Sequence, residues 1–260
     1  MIMAKRIAIA FITILISGGC FSSTIKIKNT QDSSIEAQND YQENSYNQKH
    51  TKSNITSSNI RPPKTVKKSA NQTIGVIDKE IEERMRLGET YRDNCPVKLK
   101  DLRYLRVKYF GFDKRVHTGE MIVHKSVAKE VISIFDTLSN LKYPIRKVKL
   151  ASDYGGDDDK SMEADNTSAF NCRLMTGGKK WSKHSFGKAI DINPLENPYV
   201  KGYKVLPPQA KKFAFDRENL NLKYKSVIIK NSPVVKVFYR YGWRWGGNWR
   251  SLKDYQHFEK

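Results

Sequence analysis

Cysteine is scarce in this chain, three residues in 260, and none lies in a C-x-x-C pair, which argues against a cysteine-ligated metal. Acidic residues are also few, 27 against 47 Lys and Arg, leaving a formal net charge of +20. The basic residues are scattered, however, and neither a recognition helix nor zinc-finger spacing accompanies them, so nucleic acid is not the expected partner. Long apolar runs are missing apart from Ile7 to Ile16, which is too short to span a bilayer comfortably. No internal repeat is visible.

What is present divides the chain into three parts. Lys5 and Arg6 followed by that apolar run, then Ser17-Gly18-Gly19-Cys20, read as an export signal over residues 1–20. Cys20 sits where a bacterial lipoprotein carries its lipid, although Ser17 stands where an aliphatic residue is usual; lipidation, simple cleavage and an uncleaved anchor all place the mature domain outside the cytoplasm. Residues 21–75 are rich in Ser, Asn, Gln, Thr and Lys and cannot bury enough apolar surface to offset the entropy of ordering, so a disordered tether is expected there. Apolar residues recur at the spacing of packed elements only afterwards, giving one domain over 76–260. In an oxidising compartment Cys95 and Cys172 are candidates for a disulfide, with two buried thiols as the alternative. The basic charge suits the anionic polymers of a cell envelope, or is simply a solvated surface.

Within the domain, residues 76–92 carry Ile77, Ile81 and Met85 at helical spacing. Leu102 to Tyr109 alternates, turn chemistry follows between Gly111 and Gly119, and Met121-Ile122-Val123 completes the pattern of a hairpin. Ser126 is placed to cap a helix with Val127, Val131, Ile134, Phe135 and Leu138 on one face, ended by Pro144. Residues 145–150 form a plausible strand, and the Asp- and Gly-rich 153–159 a loop.

Two segments carry chemistry. Ser182-Lys183-His184-Ser185-Phe186-Gly187-Lys188-Ala189-Ile190-Asp191 fits S-x-H-x-x-G-x-A-x-D. A His and an Asp seven apart cannot reach one metal from a straight helix, so a turn is required between them, and Gly187 permits it. Ala189 to Ile192 then alternates as a strand, with Ala189 and Asp191 on one face and room for an ion beside the small alanine. The second segment is Gly242-Trp243-Arg244-Trp245-Gly246-Gly247-Asn248-Trp249, followed by Asp254-Tyr255-Gln256-His257-Phe258-Glu259. His257 lies on a short alternating run that offers Phe258 to the core, and Glu259 shares its face. Asp254, three residues earlier, can approach a metal without ligating it, as a general base must. Trp243, Trp245 and Trp249 read as core or cleft wall, Ser182 as a turn residue or a neighbour of the site, and His117 and His124 as non-ligands. A structural His–Asp pair without metal is the plain alternative for the cluster.

In this order near the chain end, and with Thr167-Ser168-Ala169-Phe170-Asn171-Cys172-Arg173 upstream, these patterns resemble the VanY-like D-alanyl-D-alanine carboxypeptidases and the L-alanyl-D-glutamate endopeptidases, zinc metallopeptidases of the LAS group. The resemblance runs from about Cys95 to Glu259. It implies an α+β domain of the hedgehog/DD-peptidase type, in which a small antiparallel sheet flanked by helices carries the site. It implies Zn held by His184, Asp191 and His257, with Asp254 as catalytic acid/base. Arg173 would be the cation that steadies the carbonyl oxygen or the substrate carboxylate as charge develops; pairing with the acidic loop is its other reading. The implied activity is hydrolysis of peptidoglycan stem peptides by metal-activated water, next to a D-residue, as a carboxypeptidase or an endopeptidase. A wall-binding lipoprotein that keeps the fold without turnover is the rival class.

Overall fold

The computed structural model describes residues 72–175 and 177–260. The expected signal segment, Cys20 and nearly all of the expected tether lie outside them. Among the described residues a strand precedes the expected boundary at 76: β1, Thr73–Val76, pairs antiparallel with β2, Leu102–Gly111, from Thr73↔Arg106 to Val76↔Arg103. Ile74 and Val76 point to solvent, so backbone hydrogen bonds rather than apolar burial hold this strand, and composition concealed it.

The helix expected over 76–92 is shorter at both ends. α1, Lys79–Leu87, begins where the Asp78 carboxylate accepts the Ile81 N–H and buries Ile81 and Met85. It stops at Gly88, where a Cβ would lie 2.4 Å from the backbone oxygen of Ser152. The hairpin is longer than expected: β2 and β3, Val116–His124, pair from Leu102↔His124 to Phe110↔Val116. α2, Ala128–Asn140, lies across β2 with Val131, Ile134, Phe135 and Leu138 buried. Ser126 does not cap it, because its hydroxyl bonds the His124 Nδ1 at 2.8 Å. Nor does Pro144 end it; that residue opens β4, Pro144–Ile145, parallel to β2.

The single strand expected over 145–150 is broken at Arg146, whose N–H is donated to Asn193 Oδ1 at 3.0 Å. Beyond the break, β5, Lys147–Val148, pairs in parallel with β6, Asn166–Thr167. The acidic stretch between them is not all loop, since Asp157 caps α3, Asp158–Glu163. β7, Ala189–Asp191, follows, then β8, Tyr199–Lys201, and β9, Lys204–Leu206. α4, Arg217–Lys223, and α5, Pro233–Arg240, lead to β10, Arg244–Trp245, β11, Lys253–Asp254, and β12, His257–Glu259. The fold is α+β, with small antiparallel sheets in the orders β10-β12-β7 and β11-β8-β9 beside the larger β1-β2-β3 sheet.

One buried cluster joins the two halves. Leu105, Val107, Val131 and Phe135 from the hairpin and α2 meet Ile190, Phe238, Trp243 and Phe258. Phe258 stacks on Phe238 with centroids 3.9 Å apart, so the strands that carry the candidate site rest on the main core. A second cluster, containing Met85, Phe170 and Cys172, is closed by the Cys95–Cys172 disulfide across 77 residues. Among the described residues no helix is long and apolar enough to cross a membrane.

Candidate metal centre

Strands β7 and β12 run antiparallel with Asp191 opposite His257, Ile190 opposite Phe258 and Ala189 opposite Glu259. Alternation sends Ile190 and Phe258 into the core and leaves Asp191 and His257 together on the other face. His184 arrives from a 3-10 turn, Lys183–Phe186, where the Ser182 hydroxyl accepts the His184 N–H. Gly187 ends the turn at φ 63° and sits where a Cβ would fall 2.5 Å from the His124 nitrogen, so both its conformation and its closeness require glycine.

The outcome is a tight convergence. His184 Nε2 is 3.1 Å from Asp191 Oδ2, His257 Nδ1 is 2.9 Å from Asp191 Oδ1, and the two ring nitrogens are 3.2 Å apart. Each imidazole spends its other nitrogen on a second partner: His184 Nδ1 donates to the Ala169 carbonyl at 2.5 Å, and His257 Nε2 lies 3.4 Å from Glu259 Oε2. Those contacts fix which nitrogen faces the cluster, as metal-ligating histidines require. Burial opposes ionisation of Asp191, but His184 and His257 outweigh it and hold its carboxyl well below the usual range. For His257, burial works against the charge, yet Asp191 and Glu259 raise the imidazole to about 10. Three buried ligand atoms lie within 4.8 Å of one another and could hold a metal ion. Their spacing of 2.9–3.2 Å is close to the ~3.3 Å between tetrahedral ligands around a zinc-sized ion, so the donor set fits such a group.

Asp254 stands beside the cluster on β11, opposite Tyr199 of β8. Its Oδ1 is buried with no hydrogen-bond partner. Burial pushes the carboxyl up to about 7 against the pull of His257, while the Asp191 charge adds to the rise. A carboxyl poised near neutrality with one oxygen unpartnered is suited to exchanging a proton with a neighbour. Gly246 makes room for it: a Cβ there would meet the Asp254 carbonyl at 2.7 Å and the His257 Cβ at 3.3 Å. The sequence marks Gly246 only as part of a motif, and its closeness to both residues becomes visible in the fold.

The other sequence candidates separate. The Arg173 guanidinium pairs with Asp158 of α3 and donates to the Leu174 carbonyl, and among the described residues it makes no contact with His184, Asp191, Asp254 or His257. Its backbone is tied to the Ser185 hydroxyl instead. Glu259 accepts from Arg244 at 2.7 Å as well as meeting His257. Trp243 and Trp245 are core residues, whereas the half-buried Trp249 lies 5.3 Å, ring to ring, from His257 and forms a wall of the site. His117 pairs with Asp113 and stacks on Tyr109, away from the cluster.

The family described as D-alanyl-D-alanine carboxypeptidase matches the chain over residues 176–260. That span contains His184, Asp191, Asp254 and His257 but not Arg173, and it begins well after Cys95, where the resemblance was expected to start. No curated protein and no solved structure matches the chain. The match makes the C-terminal third similar to peptidases that act on peptidoglycan-type substrates, with a buried His–Asp–His cluster that could bind a metal.

Proposed function

We propose that the protein is a zinc-dependent peptidase that removes the terminal D-alanine from peptidoglycan stem peptides. The observation that carries this reading is an unpartnered buried carboxyl oxygen, Asp254 Oδ1, beside three converging ligand atoms whose two imidazoles are already oriented by Ala169 and Glu259. His184 Nε2, His257 Nδ1 and the Asp191 carboxylate would hold the ion. Two nitrogens and one carboxylate oxygen, with a position left for solvent, make the donor set of a catalytic rather than a structural zinc site. When bound, zinc supplies Lewis acidity that polarises a peptide carbonyl and makes water nucleophilic near neutral pH.

The remaining chemistry belongs to the chain. Asp254 Oδ1 takes the proton that water loses as its oxygen bonds to the carbonyl carbon. As the C–N bond breaks, the same carboxyl returns that proton to the departing amine, which leaves as a free amino group. The Trp249 ring lies beside His257. No side chain forms a covalent bond to substrate. The description of the matched family supports the terminal D-alanine over the internal L-alanyl-D-glutamate bond. The Cys95–Cys172 disulfide supports an exported setting, reached through the signal read at residues 1–20.

Digestion of purified muropeptides followed by mass spectrometry tests the reading. The expected product, formed with zinc and not after chelation, is a stem peptide shortened by one alanine. Cleavage between L-alanine and D-glutamate would keep the peptidase and overturn the bond assignment, whereas muropeptides left intact in the presence of zinc would sink both.

A further inference from the structure

Behind the metal cluster lies a groove of about 860 Å³ into which lysines converge from separate parts of the chain. Lys98 and Lys100 reach it from the turn before β2, Lys125 from the end of β3, Lys183 and Lys188 from either side of Gly187, and Lys260 from the C-terminus. Asp101 is the one carboxylate among the described lining residues, and it is occupied by Lys125 at 2.7 Å. Lys260 is paired with Glu130 at 2.7 Å. Lys98, Lys100, Lys183 and Lys188 form no ion pair among the described residues.

This gathering of like charge is built into the backbone. The His124 N–H is donated to the Gly187 carbonyl at 2.8 Å, Lys125 to Asp101 at 2.7 Å and Lys260 to Lys188 at 3.0 Å, so the segments that bear the lysines are stitched together beneath them. Burial together with Lys188 and Lys125 holds the His124 imidazole below its usual range, Asp101 pulling the other way, as expected inside a positive field. Four unpaired cations held this close repel one another, and a polyanion would relieve that repulsion while releasing its counterions.

We infer that this groove is a docking site for an extended polyanion with phosphodiesters at regular spacing and no nucleobases. Lysine ammonium groups are point charges that suit tetrahedral phosphates, whereas planar carboxylates favour the arginine fork, and no arginine lines the groove. Bases would need stacking platforms, and Phe186 with the His124 ring is all the groove offers. His184, Asp191, Asp254 and His257 do not line it, so the inference does not rest on the peptidase reading. The two sites share one short turn all the same: Lys183 and Phe186 face the groove while His184 and Ser185 are buried on the other side. A chain seated there would hold the protein beside an anionic polymer without covering the metal cluster.

The test is a salt titration of the full chain against poly(glycerol phosphate), with polyglutamate and oligothymidylate of matched charge as comparisons. Combining Lys98→Ala, Lys100→Ala, Lys183→Ala and Lys188→Ala should weaken poly(glycerol phosphate) binding about tenfold or more and flatten the dependence of log K on log salt by about 3. A control combining Lys201→Ala, Lys204→Ala, Lys211→Ala and Lys212→Ala removes the same charge from exposed positions outside the groove and should leave both nearly unchanged. Each half of the groove set, Lys98→Ala with Lys100→Ala or Lys183→Ala with Lys188→Ala, should flatten the slope by about 1.5, so the answer does not depend on the fourfold variant folding. Equal losses in the groove and control variants would reduce the effect to net charge. Polyglutamate or oligothymidylate binding as tightly as poly(glycerol phosphate) would overturn the assigned chemistry.

Discussion

Asp191 with Asp254, and Glu196 with Asp165, are two acidic pairs largely withdrawn from solvent, and their neighbours give them opposite characters. At the candidate metal centre Asp191 faces two imidazoles 2.9 and 3.1 Å away and stays ionised, while burial raises the Asp254 carboxyl next to it to about 7. At the second place Glu196 and Asp165 share one cation, Arg146, whose nitrogens lie 3.9 Å from Glu196 and 3.4 Å from Asp165. Burial, then the charge of Asp165, pushes Glu196 up to about 8, and burial raises Asp165 as well. The difference lies in what faces the carboxylates. Imidazoles can hand their lone pairs to a metal ion when they lose protons, whereas a guanidinium keeps its charge and can only compensate. Where the facing bases can deprotonate, a buried acid could share a metal ion with them; where they cannot, its charge is only compensated.

The sharpest way to break this contrast is Asp254→Asn. The amide keeps the shape and removes proton transfer, so hydrolysis should fall about 10²- to 10⁴-fold while zinc content stays at parent level. Turnover and metal analysis on the same preparation read both. Loss of zinc together with activity would make Asp254 a ligand and erase the division of labour drawn between it and Asp191.

Glu259→Gln probes the next contact outward. It weakens the partner of His257 Nε2 and of Arg244 without touching a ligand atom. The expected result is a zinc affinity about 10- to 100-fold lower by competitive chelation, with activity restored by excess zinc. A merely structural glutamate would leave the affinity where it was and lower only the melting temperature.

How much of this was readable beforehand depends on whether a residue's role shows in its own type and spacing. The hairpin of β2 and β3 and the buried face of α2 declare themselves by alternation and by helical period, because side-chain burial there does the ordering. His184, Asp191 and His257 are legible as a motif, since few side chains ligate metals and the glycine between the first two needs a turn. β1 is hidden because its apolar side chains face solvent and its backbone does the holding. The partner of His184 is equally hidden, being the backbone carbonyl of Ala169, which any residue would supply. Arg173 has two readings by position, and its contact with Asp158 matches the pairing with the acidic stretch, part of which is a helix that composition disguised as loop. Glu196 and Asp165 lie 31 residues apart and no motif includes either of them, so their pairing exists only in three dimensions.

That pairing makes the last and smallest prediction, one of stability rather than catalysis. With a carboxyl raised from 4.5 to about 8 in the folded state, the folded protein keeps a proton that the unfolded chain releases near 4.5. Between those values the unfolded state binds fewer protons, so stability is fully present below about 4.5 and is lost as pH rises through about 8. Asp254 and His257 are raised as well and act in the same direction, which makes the parent's own slope uninformative. The informative quantity is the difference between parent and Glu196→Gln. The amide cannot ionise and can donate to Asp165, so the variant should melt close to the parent at pH 5 and above it at pH 8, with peptide hydrolysis at a fixed pH unchanged. Parallel melting curves across that range would mean that Glu196 carries no extra proton and that the two acidic centres do not differ in the way their neighbours imply.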